Sequence, residues 1–525
     1  MPLVAPGAAA TPLVLAIDLG TSSVRVLTVD AAGRNIEGSE LQQRYAIRTG
    51  ADGSAETDAQ PLFDLLIETI DGALARLGPL AKEVVAVGFT SFWHGLLGLG
   101  AGGEPATPVY YWGDTRSAAD AATLRREVDE AAVLDRTGCR FHSSYWPAKL
   151  RWLARSQPSR FGEVACWTGF AEYALDRFCS GDGFGMSLSM ASGTGLLDVH
   201  RLVWDAKLLD ALGLEDDRLP VLVDLRSAVT LRSEWAARWP ALGNKPWFPA
   251  LGDGACANVG SGAVGPDRIA LTLGTSGAVR LVLPAPPGSD WHASPRLWAY
   301  RLDRERAVLG GAVSNGGNVV AWLWSLLGAE PDGAAMAAAA ELPADGHGLT
   351  LLPFVAGERS PAWHDRASGV VAGLTLATRP EHLLRAGLEA VAFRLAAVYR
   401  DLAPLADADH QIVANGGAIL QSPLWLQIMA DTFGHPVIAL PPEDEASAGG
   451  VAVMALYAAR VIPKLDAIPD PAGAGLVYEP DPTHHGRYRA AMERQAKLES
   501  RLFERETTWE GGDSPVAPDR VGCSE

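Results

Sequence analysis

Asp18-Leu19-Gly20-Thr21-Ser22-Ser23-Val24-Arg25 stands between two apolar runs, Leu13 to Ile17 and Val24 to Val29. The pattern reads as strand, tight Gly-Thr turn, strand. A turn of this kind is a good anion site, because successive backbone N–H groups converge and glycine permits close approach. The pattern recurs about half a chain later as Leu273-Gly274-Thr275-Ser276-Gly277-Ala278-Val279-Arg280. Aligning Gly20 with Gly274 pairs Thr21 with Thr275 and Ser22 with Ser276; Val-Arg follows in both copies, one residue later in the second. Apolar runs flank this copy too, Ile269 to Leu273 and Val279 to Leu283. Two similar hairpins could arise independently. The alternative is an internally duplicated fold whose two turns face each other and share one ligand.

The hairpin setting excludes two common phosphate sites. A Walker loop needs a following helix and a Gly-Lys-Ser/Thr ending, and neither is present here. A G-x-G-x-x-G opening a helix is missing from the first hundred residues. Elsewhere short β runs (Val84–Phe89, Ile412–Ala414, Val437–Ala439) alternate with helical runs (Gln60–Leu77, Arg379–Leu402, Leu424–Phe433), which predicts an α/β fold with mixed sheets.

Composition sets the remaining bounds. At 525 residues the chain is too long for one ordinary core. The formal charge of −18 and the lack of a basic stripe argue against nucleic acid and anionic membrane as partners. The five cysteines are scattered without metal-ligand spacing and read as reduced thiols. The opening MPLVAPGAAATP lacks the basic region of a signal peptide, and no apolar run is long enough for a membrane helix. A cytoplasmic protein is expected.

Two carboxylates stand out. Asp18 ends a strand beside the first turn, and a carboxylate there suits a triphosphate only with a divalent cation between them, as Mg²⁺ would supply. As a plain structural residue it would cap the turn. Asp253, between Gly252 and Gly254, opens a small-residue helical run before the second turn. It could serve as a turn residue or take the proton of a hydroxyl attacking phosphorus. Arg25 could stabilise phosphate charge or simply flank its strand. Gly-rich turns recur at Gly310–Gly317 and Ala414–Ala418, and the latter, between an apolar strand and a helix, would let backbone approach a flat base.

These blocks, with Trp112-Gly-Asp-Thr-Arg116, Leu352-Pro-Phe-Val-Ala-Gly-Glu-Arg-Ser-Pro361 and Asn415-Gly-Gly-Ala418, resemble the FGGY family of carbohydrate kinases over roughly residues 13 to 460. The resemblance implies two ribonuclease-H-like domains of the actin-like ATPase type around a catalytic cleft, with ATP and Mg²⁺ as cofactors. It implies Asp253 as catalytic base and metal contact, and Asp18 as the carboxylate organising Mg²⁺. Thr21, Ser22, Arg25, Gly274, Thr275, Gly317, Gly416 and Gly417 would hold the nucleotide.

Segments Ser91-Phe-Trp-His-Gly95, His142–Leu150 and Ser189–Leu196 are most similar to gluconokinases, which implies phosphorylation of D-gluconate to 6-phosphogluconate. Trp93, His94, Asp114, Arg116 and Lys149 would then bind the sugar, with His94, Arg116 and Lys149 as donors to its carboxylate. An FGGY kinase for xylulose, another ketopentose or a polyol is the alternative. A non-kinase actin-like ATPase is a remote one. Expected boundaries are a disordered tail at 1–12, a sugar-binding domain at 13–255, a nucleotide-binding domain at 256–505 and a disordered tail at 506–525. Oligomeric state stays open, with a homodimer as one expectation.

Overall fold

The computed structural model describes residues 2–180, 185–328, 333–364, 367–441 and 446–503. Both sequence hairpins are present: Leu13–Leu19 pairs with Ser23–Val29, and Arg268–Leu273 with Gly277–Pro284. Leu13 to Ile17 and Val24, Val26 and Val29 are wholly buried, because helices cover both faces of the sheet. Each hairpin is the centre of its own seven-stranded sheet.

In the first sheet Val84–Ser91 lies parallel to Leu13–Leu19, and Leu251–Gly252 adds in parallel beyond it. In the second, Gln411–Asn415 lies parallel to Arg268–Leu273, with Val437–Ala439 next. The duplication is thus a duplicated mixed sheet, hairpin followed by parallel strands. The expected helices form as Ala59–Leu77, Pro380–Leu402 and Pro423–Phe433.

The structure places regular elements at two of the expected boundaries. Leu3–Val4 adds an edge strand to Asn35–Ile36, and Arg34 Nη2 donates to the Ala8 carbonyl at 3.2 Å. Val4 is buried, so the opening segment is held by the first sheet rather than hanging free. The division at 255/256 falls inside helix Asp253–Gly260. That helix packs on Ala446–Ala458, whose buried residues belong to the core of the first half. The contact is close because both helices bring glycine to it: a Cβ on Gly450 would lie 1.8 Å from the Cys256 carbonyl oxygen, and one on Gly260 2.0 Å from that of Ala446. The segment 506–525 lies outside the described residues. Among the described residues no helix is long and apolar enough to cross a membrane.

Candidate active site

The two turns close by short backbone bonds, Gly20 N to Ser23 O at 2.9 Å and Gly274 N to Ser276 O at 3.0 Å. Their carbonyls are already engaged. Tyr45 Oη donates to Gly20 O at 2.7 Å, and Gly317 N donates to Gly274 O at 2.8 Å. Ser22 and Thr275 are left exposed at the tips. Gly317 and Gly416 pack onto the second turn; Gly416 has φ +101°, and a Cβ there would lie 2.6 Å from the Leu273 carbonyl oxygen. Gly417 opens the short helix Gly417–Leu420 beside them and is exposed. Gly274, Thr275, Gly317, Gly416 and Gly417 therefore come together, as their spacing alone could not show.

Between the hairpins lies a cavity of about 280 Å³. Thr21 lines it from the first turn, Thr272 and Ser276 from the second, and Asp253 from the helix start. Gly254 N donates to Asp253 Oδ1 at 2.7 Å. Burial pushes the Asp253 carboxyl above the usual carboxylate range, against the pull of the Gly254 N–H and of Arg280. The glycines beside Asp253 are sterically required. The Trp93 indole lies on this backbone, so a Cβ on Gly252 would sit 1.9 Å from the ring and one on Gly254 2.6 Å. Trp93 Nε1 in turn donates to Ser189 O at 2.9 Å, which fixes the ring. Asp18 sits across its hairpin from Arg25, with 4.0 Å between Oδ2 and Nη1; Arg25 Nε also pairs with Glu40 at 3.0 Å. Burial pushes the Cys256 thiol up, and Asp18 and Asp253 both add to that.

Residues 13–260 match the sequence profile of the FGGY carbohydrate kinase N-terminal domain, and residues 269–459 that of the C-terminal domain. The chain belongs to the FGGY family of carbohydrate kinases. It is 28% identical to a gluconokinase of Bacillus subtilis over 510 residues, covering 95% of this chain and 97% of that one. To a glycerol kinase of Dechloromonas aromatica it is 29% identical over 463 residues, 84% of this chain and 88% of that one. Among solved structures it resembles a gluconate kinase from Lactobacillus acidophilus (TM-score 0.84, 24% identity, 94% and 98% covered). A xylulose kinase from the same organism fits equally well (TM-score 0.84, 25% identity, 93% and 98% covered).

In this FGGY kinase three of the residues expected to bind the sugar lie outside the cavity lining. Arg116 does not line the cavity. Its guanidinium is taken by Asp114 at 2.5 Å and Glu56 at 2.6 Å and stacks on Trp152. Asp114 is buried in that pair and also accepts from Ala55 N, so both hold the loop carrying Trp112. Lys149 is buried behind the cavity, where its ammonium donates to the Ser143 and Ser144 carbonyls and burial lowers its pKa to about 7. A long basic side chain in a sequence block says nothing of where its charge ends up, and here backbone and carboxylate partners captured both.

Trp93 and His94 do line the cavity, with Trp112, Tyr145, Trp298, Tyr300 and Arg359. His94 has φ +70°, and its Nδ1 bonds the Gly193 carbonyl. Burial lowers its pKa to about 3, so the ring is neutral at physiological pH. Tyr145 Oη and Tyr300 Oη share a hydrogen bond of 2.6 Å. The Arg359 guanidinium lies over the Trp112 ring at 4.9 Å. Trp298 and Tyr300 were missed in the sequence, although alternate aromatics on Trp298–Arg301 signal one shared strand face. Arg359 and Arg280 stood inside blocks that were noticed, but their side chains had no assigned task.

Proposed function

We propose that this carbohydrate kinase transfers the γ-phosphoryl of ATP to the terminal hydroxyl of a sugar acid, D-gluconate giving 6-phosphogluconate. The observation that carries this reading is the mixed lining of the cavity. The Asp253 carboxylate shares it with the Arg359 guanidinium and with Tyr145 and Tyr300. A substrate that carries both a hydroxyl and a carboxylate matches that lining, and guanidinium suits a carboxylate better than any other side chain. The likeness to gluconokinases supports the same reading.

In this reading Asp253 accepts the hydroxyl proton as its oxygen attacks phosphorus, and the raised basicity of its buried carboxylate favours that transfer. Thr21 and Thr275, with the N–H groups of both turns, hold the phosphates; Ser22, Gly317, Gly416 and Gly417 complete the nucleotide contacts. Asp18 and Asp253 form a hard oxygen donor set that fits Mg²⁺, which would neutralise phosphate charge. Trp93 and Trp112 give the sugar apolar faces, and His94, neutral, offers a hydrogen bond rather than a charge.

The test is an ATP-coupled panel of gluconate, other sugar acids, xylulose and polyols, run on wild type and Arg359→Met. Wild type should prefer gluconate, and Arg359→Met should lose about 100-fold in kcat/KM for gluconate but far less for neutral acceptors. A wild-type preference for xylulose or a polyol would refute the sugar-acid reading.

A further inference from the structure

Arg280 is buried, 6% exposed, yet it lines the cavity with Asp253, Thr272 and Ser276. Its Nε donates to Asn258 Oδ1 at 2.9 Å and its Nη2 to Thr272 Oγ1 at 2.7 Å. These two bonds fix the plane of the guanidinium and leave its charge without an acidic partner in its own hairpin.

The internal duplication makes this specific. In the first hairpin Asp18 stands across from Arg25. With Gly20 aligned on Gly274, the counterpart of Asp18 is Thr272, a neutral hydroxyl; the arginine follows one residue later in the second copy and stands across from Ala270, yet its Nη2 reaches the Thr272 hydroxyl. The second copy thus keeps the cation and drops the carboxylate. The carboxylate that bears on Arg280 is Asp253, across the cavity, and burial lowers the Arg280 pKa to about 10. Burying a guanidinium against hydroxyl and amide partners is costly unless an anion completes its coordination.

We infer that Arg280 is a catalytic residue that binds the phosphoryl group in transit between the two turns and stabilises the charge on its oxygens. In the step, the acceptor oxygen forms a bond to the γ-phosphorus. The bond to the β–γ bridging oxygen breaks, ADP leaves with that electron pair, and the acceptor proton passes to Asp253. Arg280 lines the same cavity as that base and stands in Gly277–Pro284, the strand that leaves the second turn, where the phosphorus must pass. A guanidinium already oriented needs no reorganisation as the charge shifts. This inference rests on the kinase reading and not on the choice of sugar.

The experiment is steady-state kinetics of Arg280→Met and Arg280→Lys in the full chain, with gluconate and with a neutral acceptor, across pH. Arg280→Met is expected to lose about 10²–10³-fold in kcat with either acceptor, while KM for ATP and acceptor changes by less than about threefold. Arg280→Lys is expected to recover about tenfold of that loss, and should Arg280→Met fail to fold it carries the test through a kcat loss of its own. Three results would overturn the inference. A loss confined to KM for sugar acids would mean that Arg280 holds the substrate carboxylate. A kcat restored by raising pH would mean that it only keeps Asp253 ionised. An unchanged kcat in both variants would leave it no part in transfer. A wild type without preference for acids sinks the gluconate reading alone, because the neutral acceptor still reports on Arg280.

Discussion

Asp253 combines two demands on one side chain, and they pull in opposite directions. Burial raises its pKa, which makes it a better proton acceptor and a costlier charge. A carboxyl whose folded pKa is raised binds protons more readily in the folded state, so its ionisation destabilises the fold once pH exceeds the unfolded value. Asp253→Asn should therefore abolish sugar phosphorylation while ATP binding persists and the melting temperature at pH 8 rises. Near-normal turnover would remove Asp253 from the role of base. In the wild type the acid limb of kcat/KM should lie above the pKa of an ordinary aspartate, about 3.9, and activity should fall as pH drops through it. At this scale Asp253 stood out in the chain, although Gly-Asp-Gly before a helix reads equally as a turn. The cations did not. Arg116 and Arg359 are equally basic in sequence, and only their partners, Asp114 and Glu56 against an open cavity, separate them.

The elements position these side chains through contacts that admit little change. Helix Asp253–Gly260 carries the proposed base on its first residue and is pressed against Ala446–Ala458. Gly450→Ala would place a methyl on the Cys256 carbonyl, so one helix must move. A cost of about 1–3 kcal/mol is expected, with kcat down about 100-fold from displacement of Asp253. Thermal unfolding and kinetics check both, and an unchanged kcat would show that the displacement is absorbed elsewhere.

A second element prediction concerns Glu172, buried in helix Phe170–Phe178, whose pKa burial raises to about 7. Its folded value exceeds the unfolded one, so stability is lost as pH rises between about 4.5 and about 7. Glu172→Gln should stabilise the protein more at pH 8 than at pH 5, and an equal effect at both would contradict this. The Arg359 loop has its own brace. Its neighbour Glu358 pairs with buried Arg394, which also pairs with Glu499 of helix Pro482–Phe503.

Across the whole molecule the two sheets meet on either side of one cavity. Ala299 N donates to Gly138 O at 3.0 Å and Arg301 Nε to Val199 O at 2.7 Å, joining the halves. Ligands that touch both halves should act together. A non-hydrolysable ATP analogue with Mg²⁺ and gluconate should raise the melting temperature by more than the sum of their separate shifts. Purely additive shifts would argue that the two sites are uncoupled.

What the chain determined alone was its duplicated hairpins, its α/β class and the glycine turns between paired strands. Those depend on residues adjacent in sequence, where strand propensity and glycine geometry are local matters. The tertiary structure decided which long side chains reach the cavity and where one half ends. Arg116 and Asp114 were drawn away together, held also by Glu56 and Ala55 far back in the chain; Lys149 was taken by the Ser143 and Ser144 carbonyls just ahead of its helix, and helix Ala446–Ala458 joined a core assembled mostly from the first half. Such outcomes depend on competition among contacts that form only when the chain folds, so no local pattern records them.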